Sequence, residues 1–347
     1  MRLAVTCCAP IPDPARLSAE TSAVEWPRFL ATVDRHRVSA LTARALEKFA
    51  PPEIAAALTD RARDDVAANL RAAAASASLD ALFEAAVIPR LYLKGLTLSA
   101  LAYGDPFLKA SADIDLLVAP SDIPAAAAVL AKAGFALADP AGLPLAEIVS
   151  WHRVSKESVW LREADRVAVD LHSRLADSAD LVPLGVDAAT QQVAVTPRFT
   201  LPTLATPELL AYLAVHGASS CWFRLKWIAD FAALAARSGP EKLEQAIDLA
   251  ASAGGERAMA QALLLGDTLF GDVLDRARRA ALLGSPMNRH LLVLSLAALA
   301  AGEPTSRWFG TVRIHLNQLL MRPGAAKMIK EALRQLRAAW AYRTLRA

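Results

Sequence analysis

Ala112-Asp113-Ile114-Asp115-Leu116-Leu117-Val118 reads as a buried strand that opens on two carboxylates. Side chains at i and i+2 of a strand leave from one face, so Asp113 and Asp115 point the same way. Two buried acids side by side repel each other and are costly to strip of water. A divalent cation relieves both costs, and magnesium in particular is held by one or two carboxylates together with substrate phosphates. An isolated D-x-D also occurs where a strand ends and its acids face water, so the neighbouring sequence has to decide.

On the N-terminal side, Ile88-Pro-Arg-Leu-Tyr-Leu93 is a β-like run that ends at Lys94-Gly95. Leu96–Tyr103 then has the length and spacing of a short helix, closed by the turn Gly104-Asp105-Pro106. A helix N-terminus offers free N–H groups and positive potential, and glycine lets a phosphate approach the backbone closely. Lys94 and Gly95 are therefore candidate phosphate ligands. On the C-terminal side, Ser121-Asp122-Ile123-Pro124 predicts a capped helix through Lys132, closed by Gly134. Val154–Leu161 and Val167–Leu171 read as strands separated by the polar turn Arg162–Arg166. Asp170 lies at the end of the second strand and shares a face with His172.

A phosphate cradle, two acids on one strand and a third on a neighbouring strand form the layout of two-metal phosphoryl chemistry. Two divalent ions about 3.5–4 Å apart clamp the attacking and leaving oxygens of an in-line displacement. In that layout Asp113 and Asp115 bridge both ions, and Asp170 holds the ion that acidifies the acceptor hydroxyl. His172 orients the Asp170 carboxylate or contacts a phosphate.

The rest of the chain sets the frame. Its 347 residues are 54% hydrophobic and 21% charged, with runs of alanine at Ala72–Ala75 and Ala125–Ala128. Alanine is the best helix former, so a mainly helical protein with some strand is expected. Trp26, Phe29, Leu30, Val33, His36, Val38, Leu41, Ala45 and Phe49 recur at about helical spacing until Pro51-Pro52, and Asp64–Ala86 reads as a second long helix. From Thr206-Pro207-Glu208 onward the period is helical to the end, with a soft boundary near Pro197–Pro207.

No run approaches the 18 or more apolar residues of a membrane span, and Leu291–Ala301 reads as a buried helix. The N-terminal apolar stretch is too short for a secretory signal, so a cytosolic location is expected. Cys7, Cys8 and Cys221 have no metal-ligand spacing and read as small buried hydrophobes.

Charge is uneven. From Ala301 to the C-terminus, Arg307, Arg313, Arg322, Lys327, Lys330, Arg334, Arg337, Arg343 and Arg346 stand against Glu303 and Glu331. That is +7 in the tail and −4 before it. The tail's apolar residues (Ile314, Leu316, Leu319, Leu320, Met328, Ile329, Leu333, Leu336, Trp340, Leu345) are expected to pack on the body. Its cations would then form a face for an anionic partner.

The stretch Leu93-Lys-Gly-Leu … Tyr103 … Lys109-Ala-Ser-Ala-Asp-Ile-Asp-Leu-Leu-Val118, followed by Val169-Asp-Leu-His172, resembles the DNA polymerase β-type nucleotidyltransferase superfamily. It is closest to a bacterial branch of uncharacterised nucleotidyltransferases. Trp26 … His36-Arg-Val38 and His216-Gly … Cys221-Trp-Phe-Arg-Leu-Lys-Trp-Ile-Ala-Asp-Phe231 are similar to that branch's terminal helical regions, so the resemblance covers roughly residues 20–275. Three positions depart from the pattern. Lys94-Gly95 replaces the usual Gly-Ser, Lys109 stands where relatives have Arg and so loses the bidentate fork, and Ser173 replaces an aromatic residue.

The resemblance implies an α+β fold: a small mixed β-sheet core at residues 87–200, flanked by helices. N-terminal helices occupy 1–86 and a helical C-terminal domain with the basic tail occupies 201–347. It implies Mg²⁺- or Mn²⁺-dependent transfer of a nucleoside monophosphate from an NTP, ATP being the expected donor, with release of pyrophosphate. Asp113, Asp115 and Asp170 would be the catalytic metal ligands, and Lys94, Gly95, Lys109 and His172 would bind the nucleotide. The acceptor, whether sugar, peptide, protein or RNA, is open. The alternative is a regulatory module on the same fold that binds nucleotide or peptide without turnover.

Beyond these residues, His152 precedes the predicted hairpin, where a reach into the site is one reading and a structural role the other. His216, Trp222, Arg224, Lys226, Trp227 and Asp230 cluster on helices of the second half. There the tryptophans read as core anchors and the charges as surface pairs, or Arg224 and Lys226 approach the triphosphate across a cleft. His290 and His315 are isolated and suggest no zinc site.

Overall fold

A computed structural model describes residues 1–111, 113–271, 273–304 and 310–344, the side chains of 342–344 excepted. Five helices open the chain: α1 (Arg2–Cys7), α2 (Pro14–Thr21), α3 (Trp26–His36), α4 (Ser39–Leu46) and α5 (Pro52–Ala85). The central segment runs β1 (Arg90–Tyr92), α6 (Leu96–Tyr103), β2 (Ile114–Val118), α7 (Ile123–Lys132), β3 (Ala136–Asp139), α8 (Ile148–Val154), β4 (Glu157–Arg162) and β5 (Val167–His172). The hairpin β6 (Thr190–Thr196) and β7 (Phe199–Leu204) follows. Helices complete the fold: α9 (Thr206–Ser219), α10 (Leu225–Ser238), α11 (Pro240–Ser252), α12 (Glu256–Phe270), α13 (Arg276–Gly284), α14 (Pro286–Ala300), α15 (Val312–Leu320) and α16 (Ala325–Thr344). The α+β class is the one the sequence implies.

The sheet has the order β1-β2-β5-β4-β3, with β2 and β5 parallel and the other neighbours antiparallel. Both faces are covered. Ile114, Leu116, Val118, Val169 and Leu171 share a core with Ala72, Ala75, Leu79 and Phe83 of α5 and with Ile123 and Leu130 of α7. The α5 residues Ala72, Ala75, Ser76, Leu79 and Phe83 recur at helical spacing and are all buried, and its alanines let the helix lie close to the sheet. The opposite face carries Leu117, which joins a larger core drawn from the N-terminal helices, α6 and helices α9–α14.

Two elements differ from expectation. Helix α5 starts at Pro52, which serves as its N1 residue instead of keeping the helix away until Asp64. Pro197 sits in the tight turn of the β6–β7 hairpin. Val193, Val195, Leu201 and Leu204 of that hairpin are buried. All three cysteines are free and buried, as read from the sequence.

The tail corrects an expectation. Ile329, Leu333, Leu336 and Trp340 are 61%, 48%, 68% and 70% exposed, so they do not pack on the body. The polar side of α16 packs instead. Glu331 is buried in a pair with Arg334, and Gln335 bonds the His315 carbonyl and Gln318 of α15. Arg322 is buried against Asp180 at 2.7 Å, and Lys330 reaches the same carboxylate. These polar contacts set the rotation of the helix and turn its apolar stripe outward. Arg307, Leu345 and Arg346, and the side chain of Arg343, lie outside the described residues. Among the described residues no helix is long and apolar enough to cross a membrane.

Candidate active site

The parallel β2–β5 register sets Asp115 directly beside Asp170 and Leu117 beside His172. Opposed residues in paired strands face the same way, so Asp115, Asp170 and His172 share one face. One ligand atom from each of these three lies within 4.8 Å of the others. Asp113 falls outside that cluster. It lines the same cleft, a cavity of about 320 Å³ between the sheet and helices α9, α10 and α15. That size is at the low end of small-molecule sites, about 300–1,000 Å³.

Each acid has a different environment. Asp115 Oδ1 receives Lys94 Nζ at 2.8 Å and His172 Nε2 at 3.2 Å. Burial alone would raise the Asp115 pKa, but the Lys94 charge and the His172 bond outweigh it and hold the carboxyl well below its ordinary range. Among the described residues, Asp170 has no hydrogen bond or ion pair of this kind. Burial, then the negative charges of Asp113, Asp115 and Glu157, push it up to about 8. The other His172 nitrogen, Nδ1, lies 3.3 Å from Glu157 Oε2. Glu157 is itself held down to about 2, against burial, chiefly by Lys156.

The donor set fits a divalent cation. Two carboxylates and an imidazole converge, a third acid stands at the same cleft, and at Asp170 burial and the neighbouring negative charges outweigh the nearby positive charge of Lys94.

The proposed phosphate ligands have other contacts too. Lys94 is the ion-pair partner of Asp115. Gly95 has φ +62°, and a Cβ there would stand 3.0 Å from Ser111 Oγ, so glycine lets the β1–α6 junction pass the turn before β2. Lys109 is buried and pairs with Asp230 at 3.5 Å, while Tyr103 Oη donates to the other Asp230 oxygen at 2.9 Å. Asn69 on α5 fixes the Lys109 carbonyl at 2.9 Å.

His152 does not reach the site. It bonds Ser173 and Ser158, both at 3.0 Å, and β4 alternation puts Ser158 on the face opposite Glu157. Burial, with Arg174 nearby, lowers its pKa to about 4.

Arg224, the residue just before α10, and Lys226 and Trp227 in its first turn reach the cleft, and α9 brings His216. Trp222 is a core anchor, fully buried against Gly217, where any Cβ would stand 2.2 Å from its ring. Cys221 and Trp222 both take left-handed φ values, 52° and 53°. This is the tight turn that aims the start of α10 at the sheet.

Lys156, Glu157 and Arg37 also line the cleft and escape sequence reading. Glu157 faces the site only because it pairs with His172 across β4–β5, a register no local pattern announces. Arg37 arrives from the α3–α4 turn, far from the acids in sequence.

A family model described as uncharacterised nucleotidyltransferase matches residues 22–271. The chain belongs to that family. The match takes in every residue of the cleft named above. The helices beyond α12 lie outside it, and α15 nonetheless contributes Ile314 and Gln318 to the cleft wall. Among curated proteins nothing matches the chain. Membership of the nucleotidyltransferase family gives a transferase acting on a nucleotide.

Proposed function

We propose that this nucleotidyltransferase uses Mg²⁺ or Mn²⁺ to move a nucleoside monophosphate from an NTP, with ATP the expected donor, to an acceptor hydroxyl. The observation that carries the reading is the parallel register that sets Asp115 beside Asp170 and His172 in a cleft edged by cations. Asp113, Asp115 and Asp170 would hold the cation, with His172 either joining them or fixing Asp115. A bound divalent ion supplies charge neutralisation for the phosphates and lowers the pKa of the attacking hydroxyl.

The chain's own residues do the remainder. Lys94, with the Gly95 amide, would neutralise the phosphate nearest the acids, and Lys109, braced by Asp230, would add charge one step away. The acceptor oxygen forms a bond to the α-phosphorus as the bond from that phosphorus to the β-bridging oxygen breaks, and pyrophosphate leaves. Asp170, beside Asp115 on the shared face, would take the hydroxyl proton as its carboxylate. Positioning and charge do most of the work in such a transfer.

The test is pyrophosphate release from each NTP with Mg²⁺ or Mn²⁺, with and without cell extract as a source of acceptor. Asp115→Asn should abolish release, a loss of at least about a hundredfold given the size of single electrostatic contributions to catalysis. Full activity of that variant would refute the assignment.

A further inference from the structure

Among the described residues, six lysines and arginines line the cleft, and four of them are already paired. Lys94 holds Asp115, Lys109 holds Asp230, Lys156 holds Glu157 and Arg224 holds Glu303. Among the described residues, neither the Arg37 guanidinium nor the Lys226 ammonium has a hydrogen bond or ion pair. Local acids do not explain them, because those acids are engaged elsewhere. Beside Arg37, Asp34 is taken by Arg61 at 2.8 Å and Asp65 by Ser39 at 2.6 Å. One helical turn on from Lys226, Asp230 is taken by Lys109 and Tyr103. The two cations stand on either side of the sheet strands in sequence, and both feel the charge of Asp113.

Their placement is built. Arg37 sits in the left-handed region at φ 53° between α3 and α4. Its neighbours anchor it. His36 Nδ1 accepts the Leu225 N–H at 3.0 Å, and Arg35 donates to the Phe223 carbonyl at 2.8 Å. Those bonds tie the α3–α4 turn to the first turn of α10, where Lys226 stands. Both unpaired cations are thus carried by one junction.

We propose that Arg37 and Lys226 form the seat for the β- and γ-phosphates of the donor, the end that leaves as pyrophosphate. This rests on reading the cleft as an NTP site. Two cations without carboxylates in a cleft beside a triad of acids suit a polyphosphate that brings its own negative charge. Arg37 offers a planar fork and Lys226 a point charge, a combination suited to adjacent phosphates.

The experiment is calorimetric titration of tripolyphosphate in EDTA, and of ATP and AMP, into the wild-type protein, Arg37→Gln and Lys226→Gln. Tripolyphosphate and ATP should each bind at least tenfold more weakly to either variant, while AMP, which lacks the β- and γ-phosphates, binds all three proteins alike. Arg37→Lys and Lys226→Arg should keep most of the tripolyphosphate affinity, and unchanged Mn²⁺ binding certifies that the variants are folded. Tripolyphosphate binding that is absent from the wild type, or equal in wild type and variants, overturns the seat. So does an AMP loss as large as the ATP loss. If tripolyphosphate binding depends on both residues but no NTP yields pyrophosphate with any extract, the seat stands and the transfer reading falls.

Discussion

Asp170 concentrates the electrostatics of the site in one residue. Its carboxyl is pressed up to about 8 by burial and by Asp113, Asp115 and Glu157. Between the ordinary carboxylate value and about 8, the folded protein holds this proton while the unfolded chain has released it, so stability falls as pH rises through that window. Asp170→Asn removes that loss. The metal-free variant should melt no lower than wild type at pH 7 and higher than wild type at pH 9, while Mn²⁺ binding is lost. A melting temperature several degrees below wild type at both pH values would give Asp170 a structural role instead. This residue also marks how far sequence reading goes. Asp113 and Asp115 declare themselves because i and i+2 in an apolar run is a local pattern. Asp170 was legible through its own spacing with His172. Glu157 was not, since its orientation depends on which strand lies beside it.

At the scale of elements, helices and strands with strong periodicity could be read directly, and those whose meaning depends on packing could not. Leu96–Tyr103 is a helix with the predicted bounds, and the buried strand containing Asp115 is where its apolar run places it. The β6–β7 hairpin was missed because Pro197–Pro207 read as a domain boundary, although Pro202 within that stretch sits in the two-stranded ladder. Helix α16 shows the sharper failure. Its period was right and its rotation was wrong, because Glu331, Gln335 and the Arg322–Asp180 pair outcompete an apolar stripe for the body. That rotation has a measurable consequence. Ile329→Glu and Leu336→Glu remove side chains that touch mostly water, so each should change stability by less than about 0.5 kcal/mol, as exposed substitutions do. A cost of about 2–5 kcal/mol in chemical denaturation, typical of a packed Leu or Ile, would mean that the stripe is buried after all.

For the whole molecule, the cleft is walled by segments that precede and follow the sheet in sequence. The acids belong to the central strands, but Arg37 comes from the opening helices and Arg224 and Lys226 from the later ones. The junction that joins these segments is His36. Its Nδ1 accepts the Leu225 N–H, so the ring must stay neutral there. Burial, reinforced by the charge of Arg35, lowers its pKa to about 3, against about 6.5 for a free histidine. The unfolded chain therefore binds a proton that the folded one refuses between about pH 6.5 and 3. Stability must fall as pH drops through that window, by at most about 1.4 kcal/mol per pH unit for one proton. Other groups titrate in the same range, so the difference from a variant carries the information. His36→Asn keeps a side-chain acceptor near the Nδ1 position but cannot be protonated there. Its unfolding free energy, followed in denaturant from pH 7 to pH 4.5, should decline less steeply than that of wild type. Its tripolyphosphate affinity should hold at pH 5.5, because the turn carrying Arg37 stays fastened to the first turn of α10. Parallel pH profiles for the two proteins would show that His36 is not the proton-sensitive link between the two halves.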